Sequence, residues 1–189
     1  LIGPGVNNRG IPLAYELIDD RWRAFNRDFL VIYTEQEEPV LRAVLGDYWD
    51  ETYAHEQALA QAEAELAGDK ADSFATMNKA WALYHLGRLD EAVAAFDAGR
   101  AAGLPWRYFW YEFTALEAYL DAERYDDVVQ IVREVLTSAP GVDEMYYYIA
   151  RAYQGQGNTE RAIANLEAAL WRNPFMTEAQ DLMDALSDS

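Results

Sequence analysis

The chain has 189 residues, 51% of them apolar and 14% aromatic, enough for one ordinary domain with a sizeable core, which excludes a disordered composition. Its 33 acidic and 15 basic residues give a net charge of −18, spread along the chain, and such a surface repels nucleic-acid phosphates and anionic lipid headgroups. Cysteine is absent, which excludes disulfides, thiol catalysis and cysteine-type zinc sites, and no stretch approaches the ~20 apolar residues of a membrane span, so neither nucleic acid nor membrane insertion is expected.

Residues 1–38 read as a front segment outside any repeat. The chain begins at Leu1 rather than methionine and shows no signal peptide, which predicts a processed form or a piece of a longer protein. Leu1 to Pro12 is rich in glycine and proline and reads as a loop. Leu13 to Phe25 follows as a short helix with Leu17, Ile18, Trp22 and Phe25 on its apolar side, and Phe29 to Tyr33 is a short β-type run. An unpaired strand edge and these rings need cover. Fold-back onto the following helices, a homodimer, or docking on an upstream domain would each bury the same residues. In Gly3, Pro4, Glu16, Ile18, Asp19, Trp22 and Phe29 to Tyr33, the segment resembles the closing stretch of papain-like peptidase domains related to bacteriocin-leader peptidases. That resemblance implies a bacterial, extracytoplasmic parent whose catalytic residues lie upstream, with this chain as an accessory C-terminal region that positions substrate. The compartment itself is open, because a cysteine-free chain is stable on either side of a membrane.

Residues 39–72 read as a degenerate first helical repeat. Pro39 to Leu45 would be its shortened first helix, and Asp47 to Ala67 its second, with Tyr48, Tyr53, Ala58, Ala62 and Leu66 as the stripe. Three clearer units fill residues 73–176. Their turns align on Gly87, Glu123 and Gly157, offsets of 36 and then 34 residues. Apolar helical patterns precede the turns (Phe74 to Leu86, Phe109 to Leu120, Met145 to Tyr153) and follow them (Ala92 to Ala102, Val128 to Leu136, Ala162 to Trp171). Pro105, Pro140 and Pro174 then stop each second helix, since proline cannot continue one. Residues 177–189 supply a capping helix with Ala179, Leu182, Met183 and Leu186 on its stripe.

The third unit carries Tyr146, Ile149, Ala150, Tyr153, Gly157, Ala162, Leu166, Ala169, Leu170 and Pro174, and in these it resembles the tetratricopeptide repeat. The first keeps Ala80, Leu83, Gly87, Ala92 and Phe96 but departs at Thr76 and Lys79; the second has Glu123 at the turn glycine. The resemblance implies an all-α, right-handed superhelix whose inner groove is lined by set positions of each first helix. Those positions are Phe74, Met77, Trp81, Tyr84 and His85, then Trp110, Phe113 and Glu117, then Tyr147 and Arg151. It implies a scaffold that binds a protein or peptide. At the positions where some relatives clamp acidic C-termini, this chain has Met77, Trp81, Thr114, Glu144 and Tyr148, which offer no cation to a carboxylate. With the net negative charge, this favours apolar or basic ligands.

No catalytic residue, metal or cofactor is expected. His55-Glu56 opens like a zinc-protease motif, but Leu59 stands where the second histidine is needed. Gly155-x-Gly157 is a helix turn with no strand before it, and pairs such as Asp126-Asp127 sit at helix starts, where they complement the helix dipole.

Overall fold

The structure is a computed structural model that describes residues 12–105 and 107–187. Among these residues it is all-α, with ten helices and no strand. The Gly- and Pro-rich loop of residues 1–11, with Gly3 and Pro4, lies outside the described residues.

The front segment forms α1 (Tyr15–Trp22), closed by a 3-10 turn at Arg23–Phe25. Next come α2 (Glu38–Leu45), a second 3-10 turn at Gly46–Trp49, and α3 (Glu51–Leu66). Hairpins follow: α4 (Ser73–His85) with α5 (Leu89–Ala101), α6 (Thr114–Asp121) with α7 (Tyr125–Ser138), and α8 (Glu144–Gly155) with α9 (Thr159–Arg172). α10 (Thr177–Ser187) packs on α9 and ends the stack. Each second helix also packs on the first helix of the next unit, and α4, α6 and α8 lie side by side.

The turns of the three hairpins repeat one hydrogen-bonding pattern. The amides of Arg88, Arg124 and Asn158 donate to the carbonyls of Leu83, Tyr119 and Tyr153, 2.9, 2.7 and 2.8 Å away. This six-to-one bond satisfies a carbonyl that a helix end leaves orphaned, and it requires a left-handed residue just before the donor. Gly87 and Gly157 meet that need at φ 72° and 73°. Side-chain caps open α3, α4 and α9, where Asp50, Asp72 and Asn158 accept from Tyr53, Ala75 and Arg161 amides.

The core runs through the stack. Ala80, Ala92, Ala150 and Ala162 are wholly buried where paired helices meet, as their small size allows. Phe96, Leu116, Tyr119 and Ile131 fill the space between units, each contributing about 1.5–3 kcal/mol by burial. Tyr119 also donates to Asp97 at 2.8 Å, so its hydroxyl is not stranded.

Three expectations need correction. Phe29 to Tyr33 is irregular backbone, not a strand, because a strand needs a ladder partner and the described chain offers none. The second unit's first helix was expected over 109–120, yet residues 108–110 form a 3-10 turn and α6 begins only at Thr114. Tyr108 is drawn into the core, and the Glu112 carboxylate accepts the Thr114 amide at 2.8 Å, starting the helix there. Finally, fold-back, one of the three covers weighed for the front segment, shields its apolar side only in part: Leu17, Ile18, Trp22 and Phe25 all stay at least 38% exposed.

Polar contacts hold the front segment instead. Arg23 makes a two-pronged bond to Asp72 (3.0 and 2.7 Å), and its carbonyl accepts from the buried Asn78 amide (2.8 Å). Arg27 bridges Asp19 (2.6 Å) and Glu65 of α3 (2.8 Å). The Glu65 side chain is only 4% exposed, with Arg23 3.6 Å from its other oxygen. Asp19 is held below the usual carboxylate range by its bond to Arg27. Phe25 completes the dock against Tyr111, ring centres 4.8 Å apart.

Candidate functional site

The first helices of the units line up so that one face of α4, α6 and α8 carries most of the expected groove positions. Trp81 and Tyr84 are half-buried on α4, Phe113 and Glu117 open α6, and Tyr147 and Arg151 sit on α8. Rings run between helices: Phe113 lies 5.5 Å from Tyr148, which lies 5.6 Å from Tyr147. Two polar clasps cross the same face. Tyr84 donates to Asp121 at 2.8 Å, and Arg151 donates to Glu117 at 2.5 Å. The Arg151 guanidinium also sits 5.6 Å over the Tyr147 ring. Burial is the largest influence and disfavours its charge, but the bond to Glu117, the charge of that carboxylate and the neighbouring Tyr147 and Tyr148 together raise it and keep it protonated. Burial, followed by the Asp121 bond, pushes the Tyr84 phenol up, so it serves as a donor.

The remaining positions depart from the expected lining. Met77 is fully buried and is no groove residue. The missing side chain at Gly99 leaves room for its thioether, so it packs between α4 and α5. Phe74 leans toward Tyr108, ring centres 6.5 Å apart. Trp110 is 36% exposed and rides on the 3-10 turn, because the helix that would have carried it begins four residues later.

Sequence reasoning also missed participants. His55 of α3 stacks on His85 at 4.9 Å and meets the Trp81 edge at 5.2 Å, extending the face by one helix. Burial, then the neighbouring His55, lowers the His85 pKa below 6.5. Asp121 belongs to the face as well, and its position one turn from Glu117 was the available signal; Tyr148, already expected at a clamp position, is buried beside Tyr147. Beyond His55, a cavity of about 810 Å³ opens between α3 and the front segment, lined among others by Trp22, Arg27, Phe29, Tyr48, His55 and Trp81. A smaller one, about 320 Å³, lies on the far side of Trp22 and Trp81, toward Tyr108 and Glu112.

With this geometry in place, the comparisons with known proteins are informative. A tetratricopeptide repeat family model matches residues 119–186. The stack resembles the MamA 41-end structure from Desulfovibrio magneticus RS-1, at TM-score 0.62 and 20% identity over 87% of this chain and 83% of that one. It also resembles the MamA RS-1 ArsTM double mutant, at 0.61 and 21% identity over 70% and 73% of the two chains.

The fold is a tetratricopeptide-type helical-repeat array.

Among curated proteins, aryl-hydrocarbon-interacting protein-like 1 of Mus musculus and of Rattus norvegicus are each 28% identical over 51% of this chain. The chain spans about a third of the length of these relatives, 34%. None of these matches supports the peptidase resemblance of residues 1–35. The family match runs from the last residues of α6 through α7, α8 and α9 into α10.

Proposed function

We propose that the chain is a non-catalytic scaffold that binds a protein or peptide along the face formed by α4, α6 and α8. The observation that carries this reading is the set of half-buried rings Trp81, Tyr84, Phe113 and Tyr147 on or beside three successive first helices, with two hydrogen-bonded clasps, Tyr84–Asp121 and Arg151–Glu117, between those helices. Rings held by neighbouring helices lose little freedom when a partner covers them, and a few such anchors dominate most interfaces. Trp81, Tyr84, Phe113, Glu117, Tyr147 and Arg151 form the contact surface, joined by Trp110 and Phe74 at its edge.

The ligand is apolar or basic rather than acidic. The groove cation Arg151 is already engaged by Glu117, and the net charge of −18 disfavours an acidic segment over the whole approach.

Selection of peptides from a random library, followed by calorimetry on the winners, tests the reading. Glu117→Ala, Tyr147→Ala and Arg151→Ala should each weaken binding about tenfold, in the range of an interface anchor. Gln130→Ala and Glu134→Ala on α7, exposed and paired only with each other, serve as controls and should change nothing. Peptides that bind the three face variants as well as they bind the parent would place the interface elsewhere.

A further inference from the structure

The smaller cavity carries a charge pattern that the packing of helices does not require. Five rings border it: Trp22 and Phe25 from the front segment, Trp81 from α4, and Tyr108 and Tyr111 from the 3-10 turn region before α6. Between them stand two carboxylates, Asp28 and Glu112, and no lysine, arginine or histidine among the described residues of the lining. The arginines flanking Asp28 on its own segment are committed elsewhere, Arg23 to Asp72 and Arg27 to Asp19 and Glu65. Glu112 uses one oxygen on the Thr114 amide, while the Asp28 carboxylate has no hydrogen bond or ion pair among the described residues. Several of the rings remain accessible at the mouth, Trp22 at 38%, Tyr111 at 42% and Phe25 at 52% exposure.

We propose that this cavity seats the guanidinium of an arginine side chain presented by a partner protein, a reading that rests on the scaffold function above. A planar delocalised cation stacks on aromatic faces and reaches carboxylates at its edge, and it sheds water more readily than an ammonium. The available space, about 320 Å³, is at the small end of ligand pockets and suits one side chain rather than a folded element. The electrostatics agree. Burial pushes both the Asp28 and the Glu112 carboxyl up, and Asp28 raises Glu112 further, against the Thr114 hydrogen bond. A cation between them relieves that repulsion. Nearby His55 partly offsets the charge at Asp28 from the larger cavity's side.

The test uses the full chain, labelled with ¹⁵N, and follows the indole N–H signals of Trp22 and Trp81, assigned by Trp→Phe variants. Nα-acetyl-arginine methylamide should shift both signals saturably. The citrulline analogue, neutral and nearly the same shape, should need at least about tenfold more ligand, as should choline, which has charge but no planar donors. The Asp28→Asn/Glu112→Gln double variant should lose at least about tenfold in affinity for the arginine probe. Its amide oxygen at 112 still accepts from Thr114, so α6 should start normally, and the citrulline comparison in the parent protein stands even if the variant folds poorly. Equal response to arginine and citrulline, equal response to choline, no response at Trp22 and Trp81, or an unchanged affinity in the double variant would each overturn the proposal. Trp81 borders both this cavity and the face formed by α4, α6 and α8, but Glu117, Tyr147 and Arg151 do not line the cavity, so a failed arginine titration and unchanged peptide binding in those three variants are distinguishable outcomes.

Discussion

Glu123 holds a left-handed backbone, φ 56°, at the turn where the neighbouring units have glycine. A side chain in that region costs about 1–2 kcal/mol, while a glycine loses about 0.5–1 kcal/mol of chain freedom on folding. Glu123→Gly should therefore stabilise the protein by about 0.5–1 kcal/mol in urea unfolding. The repeat alignment makes this departure legible in the sequence. The same alignment singled out Ala80, Ala92, Ala150 and Ala162 as small residues between helices, and all four are wholly buried. It misplaced Met77, since nothing local to that position shows that Gly99, on another helix, makes room for the thioether. His85 supplies a pH signature. Its folded pKa lies below 6.5, so below that value the unfolded chain binds a proton that the folded chain refuses. Stability from this group is complete above pH 6.5, falls as pH drops through 6.5, and levels off once the folded pKa is passed. His85→Gln should flatten the melting temperature between pH 7 and pH 5.5; a slope identical to the parent's would assign that dependence to another group.

At the scale of elements, the front segment is pinned by arginines rather than by its own apolar residues. Removing Glu65 leaves Arg27 with only Asp19 and Arg23 with only Asp72, and breaking a buried pair on one side costs about 3 kcal/mol. Because the segment can detach by itself, Glu65→Ala should show faster limited proteolysis within residues 12–35, while the cooperative melting of α4 to α9 persists. Hydrophobic pattern alone put Leu17, Ile18, Trp22 and Phe25 on one apolar side and left open whether fold-back, a second copy or an upstream domain covers it. Pattern reports which residues could share a face, and it is silent on whether a partner surface exists. The same gap explains the absent strand at Phe29 to Tyr33, whose residue types suit a sheet that the described chain does not build. Tyr125 opens α7 and lies flat against Gly155 of α8, so closely that a Cβ there would sit 2.3 Å from the ring. Gly155→Ala should cost about 1–3 kcal/mol through overpacking, measured by thermal unfolding.

At the scale of the whole molecule, the acidic excess acts on every helix at once. A net charge of −18 on one small domain repels itself, and salt screens that repulsion over about 10 Å at 0.1 M. The melting temperature should rise as sodium chloride goes from about 20 to 300 mM, a range that passes through that screening length. A fall would mean that the pairs around Glu65, Asp97 and Glu117 outweigh the repulsion. The array fold was legible because it repeats, each unit giving the pattern another chance to be read. Of the expected groove positions, Trp81, Tyr84, Phe113, Glu117, Tyr147 and Arg151 stay half-buried, while Met77 is lost to the core. In the second unit, Tyr108 and Glu112 replace the start of the helix with a turn, and both sides of that turn became something the repeat does not specify.

The brevity of α6 has a mechanical meaning. With 8 residues it is about 12 Å long, against about 20 Å for the 13 residues of α4 or α5. In a stack that touches only nearest neighbours, the stiffness of the whole is limited by its narrowest layer. The α6 layer is therefore expected to be the softest joint of the array, and bending under load should concentrate there. Its backbone amides should exchange with deuterium by openings that leave α4, α5, α8 and α9 protected, and equal protection across α6 and its neighbours would mean the layer is as stiff as the rest.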